Sequence, residues 1–237
     1  MLIVRSRGML DSTDSNVFED KNADIMEAIN LLAQKKLSRD EVEVRSMYLC
    51  SSQFCEVDGC RFSDQALEQI CRKIAGESVL AGHDKRSLPV ARFFKAAVME
   101  RADVSDPETG QPTLWVRAWF YWLKGTQSSR DLALNIDGGI YREVSISWRY
   151  RGGRCSVCER RPRSCPHVPG QRYDGVLCYT WIDDIVDVLE GSLVYRGADR
   201  QTGITTDHQD EPTEEISPLE RMLLFELGPI TASESRS

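Results

Sequence analysis

Apolar and polar residues follow two rhythms along this chain. From Val42 to Leu49 they alternate with a period of two, which predicts a strand with one buried face. Val57-Asp58-Gly59-Cys60 then reads as a tight turn. The rhythm changes after Ser63, a good helix N-cap, because Leu67, Ile70, Cys71 and Ile74 recur at i, i+3, i+4 and i+7. Gly76 should end that helix. Beyond it the pattern is mostly β, with strands predicted at Ser78–Ala81, Val90–Arg101, Leu114–Leu123, Ile140–Tyr150, Val176–Leu189 and Ser192–Tyr195. A short helix around Ser129–Asn135 precedes the turn Asp137-Gly138-Gly139. Residues 1–40 read as a mobile start and a short helix whose apolar face is Ile25, Ile29, Leu31 and Leu32.

The fold class that follows is α+β: a mainly antiparallel sheet or barrel with a few packed helices and a small inserted hairpin. Three regions are expected: an N-terminal extension over 1–41, a main domain over 42–200 with an insertion at 152–175, and a tail over 201–237. The tail is acidic, so residues 202–217 should be poorly ordered unless a partner is bound. Ile216, Leu219, Met222, Leu223 and Leu227 predict an amphipathic helix near its end.

Composition narrows the picture. The chain has 237 residues, 41% of them hydrophobic, enough for one well-cored domain with appendages. No apolar run approaches the ~18 residues of a membrane span, and the opening MLIVRSRGMLDSTDSN turns polar too soon for a signal peptide. A soluble protein without membrane contact, resident in the cytoplasm where it is made, is the expectation. A net charge of -7 argues against general affinity for nucleic acid. Seven arginines nevertheless fall between Arg149 and Arg172, with Glu159 the only acid among them. A solvated face is the default reading of that cluster, an acidic partner surface the next, and DNA the third.

The eight cysteines point to metal more than to disulfides. CSVCERRPRSCPH supplies Cys155-x2-Cys158 and then Cys165-x-His167, four thiolate and imidazole donors within 13 residues. Zinc takes four such ligands tetrahedrally, and a closed set predicts a structural ion. It would stand in for the core that so small a hairpin lacks. Cys50, Cys55 and Cys60 form a second spaced set without a histidine, read as buried or free thiols, with a second zinc as the alternative.

Among three histidines, His167 belongs to the metal set and His208 sits in the acidic tail. His83, between two predicted strands, is left as the candidate for catalysis. In Tyr141–Tyr150, Val144, Ile146 and Trp148 face one way, so Ser145 and Ser147 face the other. Hydroxyls on that face either admit close packing or present a nucleophile, which needs an imidazole to take its proton and a third group to orient the imidazole.

Three motifs in order resemble the prohead (capsid-maturation) serine proteases of tailed phages, whose fold is similar to that of the herpesvirus assemblins. They are SVLAGHDKRSLPVAR at 78–92, REVSIS at 142–147 and EGSLVYRGAD at 190–199. The lead-in from Met47 to Ala75 fits the family's strand–turn–helix, so the resemblance covers roughly 42–199. It implies that His83 is the general base, Ser145 the nucleophile and Glu190 the acid that orients the histidine, with Asp187 competing for that last role. A glycine usual after the serine motif is Ser147 here, which makes Ser147 the alternative nucleophile. The expected ending after SLV is also replaced, by Tyr195-Arg196-Gly197-Ala198-Asp199. The implied activity is cleavage of scaffold or major capsid protein during procapsid assembly, in the host cytoplasm, within the procapsid or virion. Those substrates, the portal and further copies of the chain are the implied partners. The rival expectations are an inactive protease-fold component of the virion and a zinc-stabilised nucleic-acid-binding protein.

Overall fold

The computed structural model describes residues 15–205. Helix α1 (Ser15–Leu32) leads into strand β1 (Val42–Ser51), and a turn with Gly59 at φ +63° connects it to β2 (Cys60–Phe62). Helix α2 (Asp64–Ile74) begins where expected, with the Ser63 hydroxyl accepting the Ala66 N–H at 3.3 Å, and it buries Leu67, Ile70, Cys71 and Ile74. Strands β3 (Ser78–Ala81), β4 (Ala91–Ser105) and β5 (Pro112–Leu123) follow, then α3 (Gln127–Asp137) and β6 (Glu143–Tyr150). The remaining strands are β7 (Arg154–Cys155), β8 (Arg172–Tyr173), β9 (Val176–Leu177), β10 (Thr180–Ile182), β11 (Ile185–Val194) and β12 (Gly203–Ile204).

Seven strands form the main sheet in the order β12-β1-β5-β4-β3-β11-β6, antiparallel throughout except for the parallel pair β3–β11. The sheet curls until its ends meet. Ile204 donates its N–H to the Arg142 carbonyl at 2.8 Å, and the Thr202 hydroxyl donates to the Val144 carbonyl at 2.8 Å. The concave side holds Met47, Leu49, Phe93, Phe120, Val144 and Leu193, packed with the apolar face of α2. The convex side of β4 and β5 presents Phe94, Ala97, Trp119 and Tyr121, which α1 covers through Ile29. The α+β class with a curled, mainly antiparallel sheet is therefore the observed architecture.

Several boundaries differ from the pattern. The stretch 176–189 is not one strand but β9, β10 and the start of β11, while β11 runs unbroken through Gly191 to Val194. The breaks accompany changes of partner: β9 pairs with β8, β10 with β2 and β7, and β11 with β3 and β6. Leu31 is 51% exposed, so Ile29 and the partly buried Ile25 and Leu32 carry the buried face of α1. The main domain extends past residue 200, because β12 pairs with β1 and Thr205 bonds to Ser46 through backbone and hydroxyl. Of the first residues expected in the loose tail, Gly203 and Ile204 are thus part of the sheet, and Thr202 and Thr205 are hydrogen-bonded to it. The helix expected near Leu219–Leu227, the rest of the tail and the mobile start lie outside the described residues. Among the described residues, no helix is long and apolar enough to cross a membrane.

Candidate active site and metal centre

The end of β3 sets up the first site. Gly82 and His83 both adopt positive φ, +65° and +59°, so the chain turns sharply as it leaves the sheet. The turn is tied to β11, since Gly82 N–H donates to the Leu193 carbonyl at 2.8 Å and His83 N–H to the Ser192 hydroxyl at 3.2 Å. This swings the imidazole over β11, where Nδ1 lies 2.7 Å from Glu190 Oε1. The second Glu190 oxygen accepts the Ser192 hydroxyl at 2.5 Å. Glu190 and Ser192 are buried, at 1% and 0%, whereas the His83 side chain is 38% exposed. With Nδ1–H donating to the carboxylate, Nε2 carries the lone pair and is the nitrogen able to take a proton.

Register brings the serines to the same face. Across β11 and β6, Ser192 stands opposite Ser145 and Glu190 opposite Ser147, so all four side chains project from one side of the sheet. Among the described residues neither Ser145 nor Ser147 is hydrogen-bonded to the imidazole, whose side-chain partner is Glu190. The Lys85 ammonium reaches the Ser147 hydroxyl at 3.3 Å, putting a cation beside that oxygen. Asp187, the other acid considered for orienting His83, pairs with Arg149 instead. A shallow cavity at the seam of the curled sheet is lined by Leu49, Cys50, Val144, Ser145 and Trp148 but not by His83 or Glu190. Ser145 is therefore common to the cavity lining and the polar cluster, whereas His83 and Glu190 lie outside the cavity.

The arginine-rich insertion forms the second site. Cys155, Cys158, Cys165 and His167 come together with their ligand atoms all within 4.8 Å of one another, so this set could hold a metal ion. The CxxC pair sits in a knuckle. Cys155 N–H donates to the Arg160 carbonyl, Glu159 N–H donates back to the Cys155 carbonyl, and Val157 N–H points at the Cys155 sulfur at 3.4 Å. Burial opposes ionisation of Cys155, but the Val157 and Cys158 N–H groups and the neighbouring thiols outweigh it and bring its pKa down to about 6. Three sulfurs, those of Cys155, Cys158 and Cys165, lie within 4.8 Å of one another. His167 Nδ1 lies 3.7 Å from the Cys155 sulfur, and the ring packs edge-on against Tyr173.

Pattern reading missed how the insertion is anchored. Its strand β7 joins β10 and β2 in a separate three-stranded sheet, so the insertion runs on to Ile182 rather than ending at 175. Of the seven arginines between Arg149 and Arg172, four are engaged within the chain: Arg149 with Asp187, Arg151 with Asp184, Arg154 with Glu159 and Asp183, and Arg172 with Glu108. The other thiols, Cys50, Cys55, Cys60, Cys71 and Cys178, are buried, and no second metal grouping occurs among the described residues. Comparison with protein-family models, curated proteins and solved structures finds no match in any of the three.

Proposed function

We propose that this chain is a serine endopeptidase of the capsid-maturation type, carrying a structural zinc module. The observation that carries this reading is the buried Glu190 carboxylate bonded to Nδ1 of a half-exposed His83, on the sheet face that also bears Ser145 and Ser147. A serine protease needs this order of roles: an acid holds the imidazole in one tautomer, and the free nitrogen takes the proton of a serine hydroxyl. Ser145 is the nucleophile, as the resemblance of REVSIS to the prohead proteases implies, and Glu190 is the orienting acid. The capsid setting, with scaffold or major capsid protein as substrate, rests on that resemblance and on the order of its three motifs. Zinc is the metal best suited to three thiols and an imidazole, and with four protein ligands it would serve folding rather than catalysis.

The test is co-expression with the cognate scaffold and major capsid proteins. Ser145→Ala and His83→Ala should each abolish processing while the variants remain folded, and Ser147→Ala should spare it. If Ser147→Ala abolishes processing and Ser145→Ala does not, the nucleophile is Ser147, which the Lys85 contact would favour. If all three variants process normally, the protease reading fails. A protease-fold component without activity then takes its place, a reading favoured by the lack of a serine–imidazole bond among the described residues.

A further inference from the structure

A further buried thiol borders the candidate metal cluster at Cys155. Cys178 follows β9 and is 1% exposed, its sulfur 3.9 Å from that of Cys155. Two sulfurs on one tetrahedral zinc, each about 2.3 Å from it, stand roughly 3.8 Å apart, so the Cys155–Cys178 separation already matches one edge of such a site. The backbone holds it there. Cys178 N–H donates to the Gln171 carbonyl and its carbonyl accepts the Gly170 N–H, while Ser156 bonds to Leu177 and Tyr179 on either side. The Cys155 knuckle and Cys178 are therefore stitched into one rigid piece. Cys165 and His167 belong to the more exposed loop after Arg161.

Cys155, Cys158 and Cys165 supply three sulfurs, and two groups lie beside Cys155 for the fourth place: His167 Nδ1 at 3.7 Å and Cys178 at 3.9 Å. We propose that Cys178 is a ligand of this metal centre, taking the fourth place whenever His167 leaves it, so that the ion is held by four thiolates in place of three and an imidazole. Occupation by Cys178 replaces the neutral imidazole with a thiolate and puts the ion closer to the buried β10 than to the exposed loop. The proposal rests on the metal reading above and adds a residue to it.

The experiment uses the full-length chain loaded with Co2+, whose thiolate charge-transfer absorption grows with each sulfur bound, and with 113Cd2+, whose chemical shift separates four-sulfur from three-sulfur sites. His167→Ala should keep one ion per chain, with the charge-transfer band about a third stronger, as four sulfurs replace three. Adding Cys178→Ser to His167→Ala should remove that gain and strip the ion at chelator concentrations the single variant survives. Cys178→Ala alone should leave the wild-type three-sulfur spectrum intact, which also shows that the site forms without it. The proposal is overturned if His167→Ala releases the ion, or if it keeps the ion with a three-sulfur spectrum. In either case a loaded wild type leaves the metal reading standing. A wild type that takes up no metal overturns both.

Discussion

Glu190 and Ser192 lie two residues apart on β11, and both are buried against the turn that carries His83. Ser192 donates to one oxygen of Glu190 and accepts the N–H of His83, so one hydroxyl fixes both the Glu190 carboxylate and the backbone of His83. Ser192→Ala should cost about 1–3 kcal/mol of stability, as a buried carboxylate oxygen and an N–H lose their partner. A lowered thermal midpoint, with proteolysis reduced but not abolished, is the expected result; an unchanged midpoint would deny the hydroxyl this role. The thiols divide just as sharply. Burial pushes Cys55 up to about 11 and raises Cys50 and Cys60 strongly, whereas Cys158 and Cys165 are only half-buried. After chelation at neutral pH, iodoacetamide should modify Cys158 and Cys165 and spare Cys50, Cys55 and Cys60, as mass spectrometry of the peptides can check.

Strand β11 sets the geometry of the candidate active site because it is sandwiched between β3, which delivers His83, and β6, which delivers the serines. Gly191, between Glu190 and Ser192, points to the concave side. A Cβ there would lie 2.6 Å from the Phe93 ring and 3.2 Å from Leu49. Gly191→Ala should therefore push β11 off the core, at a cost of about 1–3 kcal/mol, and shift both neighbours on the opposite face. Activity should fall with stability in this variant. A normal melting curve with normal turnover would show that the core gives way instead. Gly59 has a comparable role at the insertion, where a Cβ would meet Pro169 at 2.7 Å on a backbone already at φ +63°.

At the scale of the molecule, a small sheet joins the metal module to the rest. Strand β10 pairs with β7 of the module on one side and with β2 on the other. From β2, Arg61 forms a buried ion pair with Asp106 at the tip of the β4–β5 hairpin and packs against Tyr179 and Trp181. Arg61→Ala leaves the Asp106 carboxylate buried without its cation, a change that typically costs about 3–5 kcal/mol. Urea denaturation should show a loss in that range. Metal removal should act more locally. Hydrogen exchange is expected to rise over 152–178 and to remain slow in β1, β4 and β5, whose core includes none of the candidate metal ligands. Equal loss of protection in both regions would mean that the module is part of the main folding unit.

Local rules carried the sequence a long way. Helix α2, its Ser63 cap, the shared face of Ser145 and Ser147 and the four clustered donors of the insertion all depend on spacing within a few residues, which the chain states directly. What tertiary structure decided was every relation that spans the chain. Asp187 and Glu190 are equivalent as residues, and only the bulged pairing of β11 with β6 sends one to Arg149 and the other to His83. Cys178 carried no signal because it stands 11 residues beyond His167, past the hairpin of β8 and β9 that returns it to Cys155. Gly203 and Ile204 read as the start of an acidic tail, yet the open edge of β1 supplied hydrogen-bond partners that no local pattern reveals. Short-range periodicity determines which faces are apolar. Strand pairing, set by the burial of all those faces together, determines which polar groups meet.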